Sequence, residues 1–181
     1  AVHFPADEVG RDYYDGLGVG RALQADTTYR VELAEAVAHG RRVDRHQAAP
    51  DARDLQLPHD LDPRIAALAR EVSAGAGSDW QRALALEQHL RTQYAYSLST
   101  VTRQNDVPLS DFLFDTRTGH CEYFATALAV MLRTQGIPAR MVTGYVADEY
   151  NPVTGFFEVR GTHAHAWGEA AVDGEWLLLE A

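Results

Sequence analysis

The stretch Arg117-Thr118-Gly119-His120-Cys121-Glu122-Tyr123-Phe124-Ala125-Thr126-Ala127 joins a glycine-containing turn to an amphipathic run, and it carries the chain's one cysteine. Phe124, Leu128, Met131 and Leu132 recur at helical spacing, and Gly136 and Pro138 stop the run, so the pattern predicts a helix from about Cys121 to Gln135. Cys121 then stands at the helix N-terminus. Unpaired N–H groups and the helix dipole favour thiolate there. The same N–H groups can stabilise the oxyanion formed when sulfur attacks a carbonyl carbon. Gly119 is expected to supply the backbone freedom that brings a substrate close to the turn. The competing reading is a buried cysteine that packs as a small apolar side chain.

Working outward, Asp62-Pro63 is an N-cap with proline at the first helical position, followed by Ile65, Leu68, Ala69 and Val72 at helical spacing. Gly75 and Gly77 end that helix. A second helix is expected from Ser78 or Asp79, carrying Leu84, Leu86, Leu90 and Tyr94. Beyond Pro138 the composition turns to β-formers, with strands expected over Arg140–Ala147, Phe156–Arg160, His163–Val172 and Trp176–Glu180. Asp173-Gly174 between the last two is a two-residue hairpin turn. Helices followed by an antiparallel sheet make an α+β fold. Residues 1–57 read as a small lead-in, partly β or irregular, in which Thr28–Leu33 alternates like a strand; residues 58–181 read as the core.

Composition narrows the chemistry. The 181 residues carry a formal charge of −10, and all 16 cations are arginine. The densest basic cluster is Arg41-Arg42 with Arg45, which disfavours nucleic acid as a partner. A chain without lysine has no amine for Schiff-base catalysis or a Walker-type phosphate site. One cysteine forms no internal disulfide and no Cys-rich zinc site. No run approaches the roughly 18 apolar residues of a membrane span. The opening Ala1-Val2-His3-Phe4-Pro5 lacks signal-peptide order and an initiator Met, and the last strand stops in mid-run, so the chain is expected to be a piece of a longer protein.

Two further elements carry chemistry. In Thr162-His163-Ala164-His165-Ala166-Trp167, strand alternation puts His163, His165 and Trp167 on one face. A thiol needs a base that takes its proton and returns it to a leaving group, and histidine does this near neutral pH. The pair could instead ligate a metal with Cys121 or Glu180, or belong to a solvated face. Counting outward from the hairpin turn, Val172 faces Glu175 and Glu180 lies opposite Trp167, with His165 its diagonal neighbour. An acid there can accept the imidazole N–H and fix its tautomer, or can be an ordinary exposed glutamate. Glu169 and Glu158 are weaker competitors.

Taken in order, Phe112-Leu113-Phe114, Gly119-His120-Cys121-Glu122-Tyr123-Phe124-Ala125, Gly136-Ile137-Pro138-Ala139-Arg140, Thr143-Gly144-Tyr145 and His165-Ala166-Trp167 resemble a transglutaminase-like core. The resemblance spans roughly residues 55–181. It is nearest the bacterial membrane-anchored subfamily typified by transglutaminase protein A. It implies a papain-like fold, a Cys–His–acid triad and acyl transfer, with Cys121 as nucleophile and His165 as base, His163 not being the catalytic position. The family's acid is an Asp four residues after a strand Trp; Trp176 puts Glu180 there, one methylene longer. Oxyanion and groove candidates are His120, Tyr96 and Trp167, with Tyr94 also considered.

The resemblance implies a protein or peptide substrate, attacked at a glutamine carboxamide or peptide carbonyl, and an amine or water to resolve the thioester. No metal or organic cofactor is needed. Crosslinking, deamidation and proteolysis share this chemistry. A module that keeps the groove but has lost turnover is the alternative, favoured by Glu at the acid position and disfavoured by retention of Cys121 and His165. The resemblance also implies a periplasmic or extracytoplasmic soluble domain, with membrane attachment only through segments outside this chain. Without lysine, the chain could not crosslink itself through its own ε-amines.

Overall fold

A computed structural model describes residues 9–11, 17–19, 49–98, 109–146, 149–153 and 156–181. Strands β1 (Val9–Arg11) and β2 (Leu17–Val19) form an antiparallel pair. The expected strand at Thr28–Leu33 lies outside the described residues. Helix α1 (Pro63–Val72) starts as its sequence dictates: the Asp62 carboxylate accepts the Arg64 N–H at 2.9 Å, and Pro63 occupies the first turn. Helix α2 (Asp79–Gln93) is capped by Ser78, whose hydroxyl accepts the Gln81 N–H. Tyr94 follows it in extended conformation rather than continuing it.

Strand β3 (Ala95–Tyr96) pairs in parallel with β4 (Thr118–Gly119), which leads into helix α3 (Cys121–Thr134). A π-helical turn at Asp111–Thr116 precedes β4 and ends on Arg117 at φ 49°, in the left-handed region. Strand β5 (Ala139–Tyr145) is followed by the hairpin β6 (Glu149–Asn151) and β7 (Phe156–Glu158), then by β8 (Ala164–Val172) and β9 (Glu175–Leu179). The antiparallel sheet β5-β8-β9 lies against α3. Its final hairpin turns at Asp173 (φ 54°) and Gly174 (φ 81°), the pair of left-handed residues that a two-residue turn requires. Val172 pairs with Glu175 and Gly168 with Leu179, the register expected from the turn.

Leu128, Met131 and Leu132 of α3 are fully buried against Leu86 and Leu90 of α2, Ile65 and Ala69 of α1, and Ala170 and Leu179 of the sheet. Among the described residues no helix is long and apolar enough to cross a membrane.

One packed histidine gives the core a pH response. Burial, with the nearby Arg117 guanidinium second and Glu71 opposing, holds His89 below its ordinary value. Its ring sits edge-on to Tyr94 at 5.7 Å. The unfolded chain therefore binds this proton first as pH falls, so stability is complete above about pH 6.5 and declines below it until the folded form also protonates. Thermal unfolding of His89→Gln between pH 5 and 8 should show a flatter decline than wild type. Parallel curves would refute the assignment.

Candidate active site

The parallel β3–β4 pair brings the segment after α2 to the start of α3. Ala95 N–H donates to the Arg117 carbonyl and Ser97 N–H to the Gly119 carbonyl, both at 2.8 Å, which sets Tyr96 beside Gly119. Gly119 is buried, and a Cβ there would stand 3.0 Å from the Phe112 ring and from Tyr123 Cβ. Close aromatic packing, rather than room for a substrate, is what requires glycine. His120 is the helix N-cap residue in extended conformation, and its side chain makes no cap hydrogen bond. Its ring meets Tyr123 edge-on at 4.9 Å.

Cys121 is half-buried at the first position of α3. Its partner at the turn is Tyr96. That ring is largely exposed, and its hydroxyl lies close enough to Cys121 for the thiol and the backbone N–H to bear on its titration. Desolvation raises the Tyr96 hydroxyl above the ordinary phenol range, the negative charge of a Cys121 thiolate and the bond to it add to the rise, and the Cys121 N–H opposes it. Tyr94, the other tyrosine of this segment, donates its hydroxyl to the Leu113 carbonyl at 3.0 Å. It braces the loop before the nucleophile.

Cys121 and His165 open on one cavity of about 250 Å³, lined also by Glu122, Thr143, Gly144, Tyr145, Ala164 and Ala166. The imidazole Nε2 lies 2.8 Å from Glu180 Oε1. Glu180 is the first residue past β9, and its backbone N–H donates to Glu87 Oε1 on α2 at 2.7 Å. Trp167 is not in the lining. It lies beside His165, ring centroids 6.4 Å apart, and crosses Gly144, where a Cβ would stand 2.7 Å from its Cη2. Gly144 is therefore the one residue of β5 over which that indole can lie.

The competing acids are otherwise placed. Glu169 is buried in an ion pair with Arg140 at 2.7 Å, and that guanidinium stacks 3.9 Å above the Trp176 ring. Glu158 belongs to the separate β6–β7 hairpin. His163 departs from expectation. It ends a 3₁₀ turn over Gly161–His163 instead of sharing a strand face with His165 and Trp167. Its Nδ1 accepts the Arg160 N–H at 3.3 Å, and its Nε2 faces Glu149 Oε1 at 3.5 Å. The 3₁₀ turn breaks the alternation just before β8, which a period-two count does not reveal. His163 is thus not paired with His165 as a ligand set, and among the described residues no group of three His, Cys, Asp or Glu side chains could hold a metal ion.

Sequence reading passed over Glu87. The available signal was an acid within the buried stripe of α2, which also carries Ala83, Leu86 and Leu90.

Residues 66–181 match the transglutaminase-like superfamily. A protein-glutamine gamma-glutamyltransferase of Pseudomonas aeruginosa is 42% identical over 118 residues, covering 65% of this chain and 18% of that protein. The uncharacterised protein YebA of Bacillus subtilis is 36% identical over 136 residues, 71% of this chain and 18% of that protein. The chain thus spans less than a fifth of the length of these two relatives. Among solved structures, the periplasmic domain of TgpA from Pseudomonas aeruginosa, bound to ethylmercury, superposes with a TM-score of 0.62 at 38% identity. That match covers 71% of this chain and 46% of that one.

Proposed function

The chain belongs to the transglutaminase-like superfamily, and on that premise we propose that Cys121, His165 and Glu180 form a triad that transfers acyl groups from protein or peptide amides. The observation that carries the proposal is that His165 lines the cavity on which Cys121 opens while its Nε2 lies 2.8 Å from Glu180 Oε1. With Nε2–H donated to the carboxylate, Nδ1 is the nitrogen that takes the thiol proton. Glu at the acid position, the feature that favoured an inactive binding module, lies at hydrogen-bond distance from the imidazole, and that contact supports the triad reading.

The steps balance as follows. Sγ gives its proton to His165 Nδ1 and attacks the glutamine carboxamide carbon, and the electron pair of the C=O moves to oxygen. The Cys121 N–H and the Tyr96 hydroxyl stabilise that oxyanion. Collapse breaks the C–N bond, ammonia leaves with the imidazolium proton, and a thioester remains. An amine then attacks the thioester, His165 takes its proton, and the thiolate departs. Water in place of the amine gives deamidation. A peptide carbonyl in place of the carboxamide gives proteolysis.

Transamidation is the favoured outcome, since a Pseudomonas aeruginosa relative at 42% identity is named a protein-glutamine gamma-glutamyltransferase. The likeness to a periplasmic domain supports an extracytoplasmic site of action, with envelope proteins as the substrates in this reading.

The test incubates the protein with a glutamine-containing peptide and a fluorescent primary amine. Amine incorporation, ammonia release and peptide fragments are followed in parallel. Equimolar incorporation and ammonia release support transamidation. No turnover of any kind, with Cys121 alkylated by iodoacetamide no faster than a small-molecule thiol, would establish the binding module instead. In the same assay Tyr96→Phe should lower kcat about 10²-fold with little change in KM, the loss expected for one oxyanion donor. A wild-type kcat would remove Tyr96 from the oxyanion site.

A further inference from the structure

The proposed triad acid lies just past a strand. The β8–β9 ladder ends at the Gly168–Leu179 pair, so Glu180 follows the last paired residue. A 1 Å displacement of a catalytic group costs about 10²-fold in rate. The Glu180 backbone is captured from another element. Its N–H donates at 2.7 Å to Oε1 of Glu87, a side chain distant in sequence on α2. Glu87 is 9% exposed, and its helix is fixed by Ala83, Leu86 and Leu90, each fully buried. A buried carboxylate is costly unless it accepts hydrogen bonds, and here the partner is the main chain of the proposed triad acid.

We propose that Glu87 is a positioning residue: its carboxylate holds the Glu180 backbone so that the Glu180 side chain meets His165 Nε2. Glu87 touches neither the cavity nor the imidazole, and it acts only through Glu180. The inference rests on the triad reading, and it accounts for how an acid one methylene longer than the family's Asp is held in register with the imidazole.

The discriminating variants are Glu87→Met, which keeps the volume and removes the acceptor, and Glu87→Gln, which keeps an acceptor oxygen. Glu87→Met should lower kcat about tenfold to a hundredfold with KM within about twofold. It should also shift or broaden the proton NMR signal of the His165 Nε2–H held by Glu180. Glu87→Gln should restore both. In a Glu180→Ala background, Glu87→Met should change kcat by less than about twofold, because the group it positions is gone. Losses that multiply in the double variant, or a Glu87→Met enzyme with wild-type kcat and imidazole signal, would overturn the proposal. If the methionine variant does not fold, Glu87→Asp, whose shorter arm withdraws the oxygen, must show the same losses. Because the imidazole signal needs no turnover, it tests Glu87 even if the wild type proves inactive on glutamine peptides.

Discussion

Replacement of Cys121 by alanine is expected to abolish thioester formation and to lower acyl transfer by about 10⁶-fold, the loss seen when the nucleophile of a triad is removed. The size of the effect follows from the position of the thiol. Cys121 opens on the cavity shared with His165, its backbone N–H faces the same turn, and the Tyr96 hydroxyl lies against it. Without sulfur, the remaining donors can bind an amide but cannot form the covalent intermediate. The check is amine incorporation into a glutamine peptide, with mass spectrometry of the quenched wild-type enzyme to detect the acyl adduct on Cys121. Fold is little affected, since Cys121 is at a helix terminus and lies outside the buried cluster of Leu128, Met131 and Leu132. Turnover by Cys121→Ala at a tenth of the wild-type rate would rule out nucleophilic catalysis by this thiol.

Glu180→Ala is expected to produce the second largest loss, up to about 10⁴-fold in kcat. On the triad proposal, the carboxylate at 2.8 Å from Nε2 holds the imidazole in the tautomer that leaves Nδ1 free to take the thiol proton. Deleting it frees the ring to rotate and removes the partner of the imidazolium formed during turnover. Both partners are partly exposed, with 24% of the His165 side chain and 38% of the Glu180 side chain accessible, so the pair is of little consequence for stability. The loss should therefore fall on kcat while the unfolding temperature hardly moves. Glu180→Gln keeps the reach but loses the charge, and should fall between wild type and alanine. Glu180→Asp withdraws the oxygen by one methylene and tests whether the Glu87-held backbone has been set for the longer side chain. Unchanged kcat in Glu180→Ala would transfer the acid role elsewhere, with Glu169 excluded by its buried pairing to Arg140.

What could be read in advance was governed by short-range rules. The cap and proline at Asp62-Pro63, the stop signals Gly136 and Pro138, and the left-handed pair Asp173-Gly174 each specify an element within a few residues. Because the hairpin turn fixes register, the relation of Glu180 to His165 could be counted out along two strands. His163 escaped the same counting because a 3₁₀ turn breaks the alternation just before β8.

Tyr96 was one of two tyrosines open to the same role, and only the β3–β4 pairing separates them. It sets Tyr96 beside Gly119 while Tyr94 turns to Leu113. Glu87 offered only an acid within the apolar stripe of α2, which says nothing of the Glu180 backbone it meets. Local pattern thus determined the helices, the hairpin, the cysteine at a helix start and the spacing of an acid from the histidine. The tertiary structure decided which tyrosine lies near the thiol, which histidine lines the cavity and which side chain meets the Glu180 backbone. Those contacts join segments far apart in the chain, and their geometry depends on how helices and sheet pack, which no short periodicity encodes.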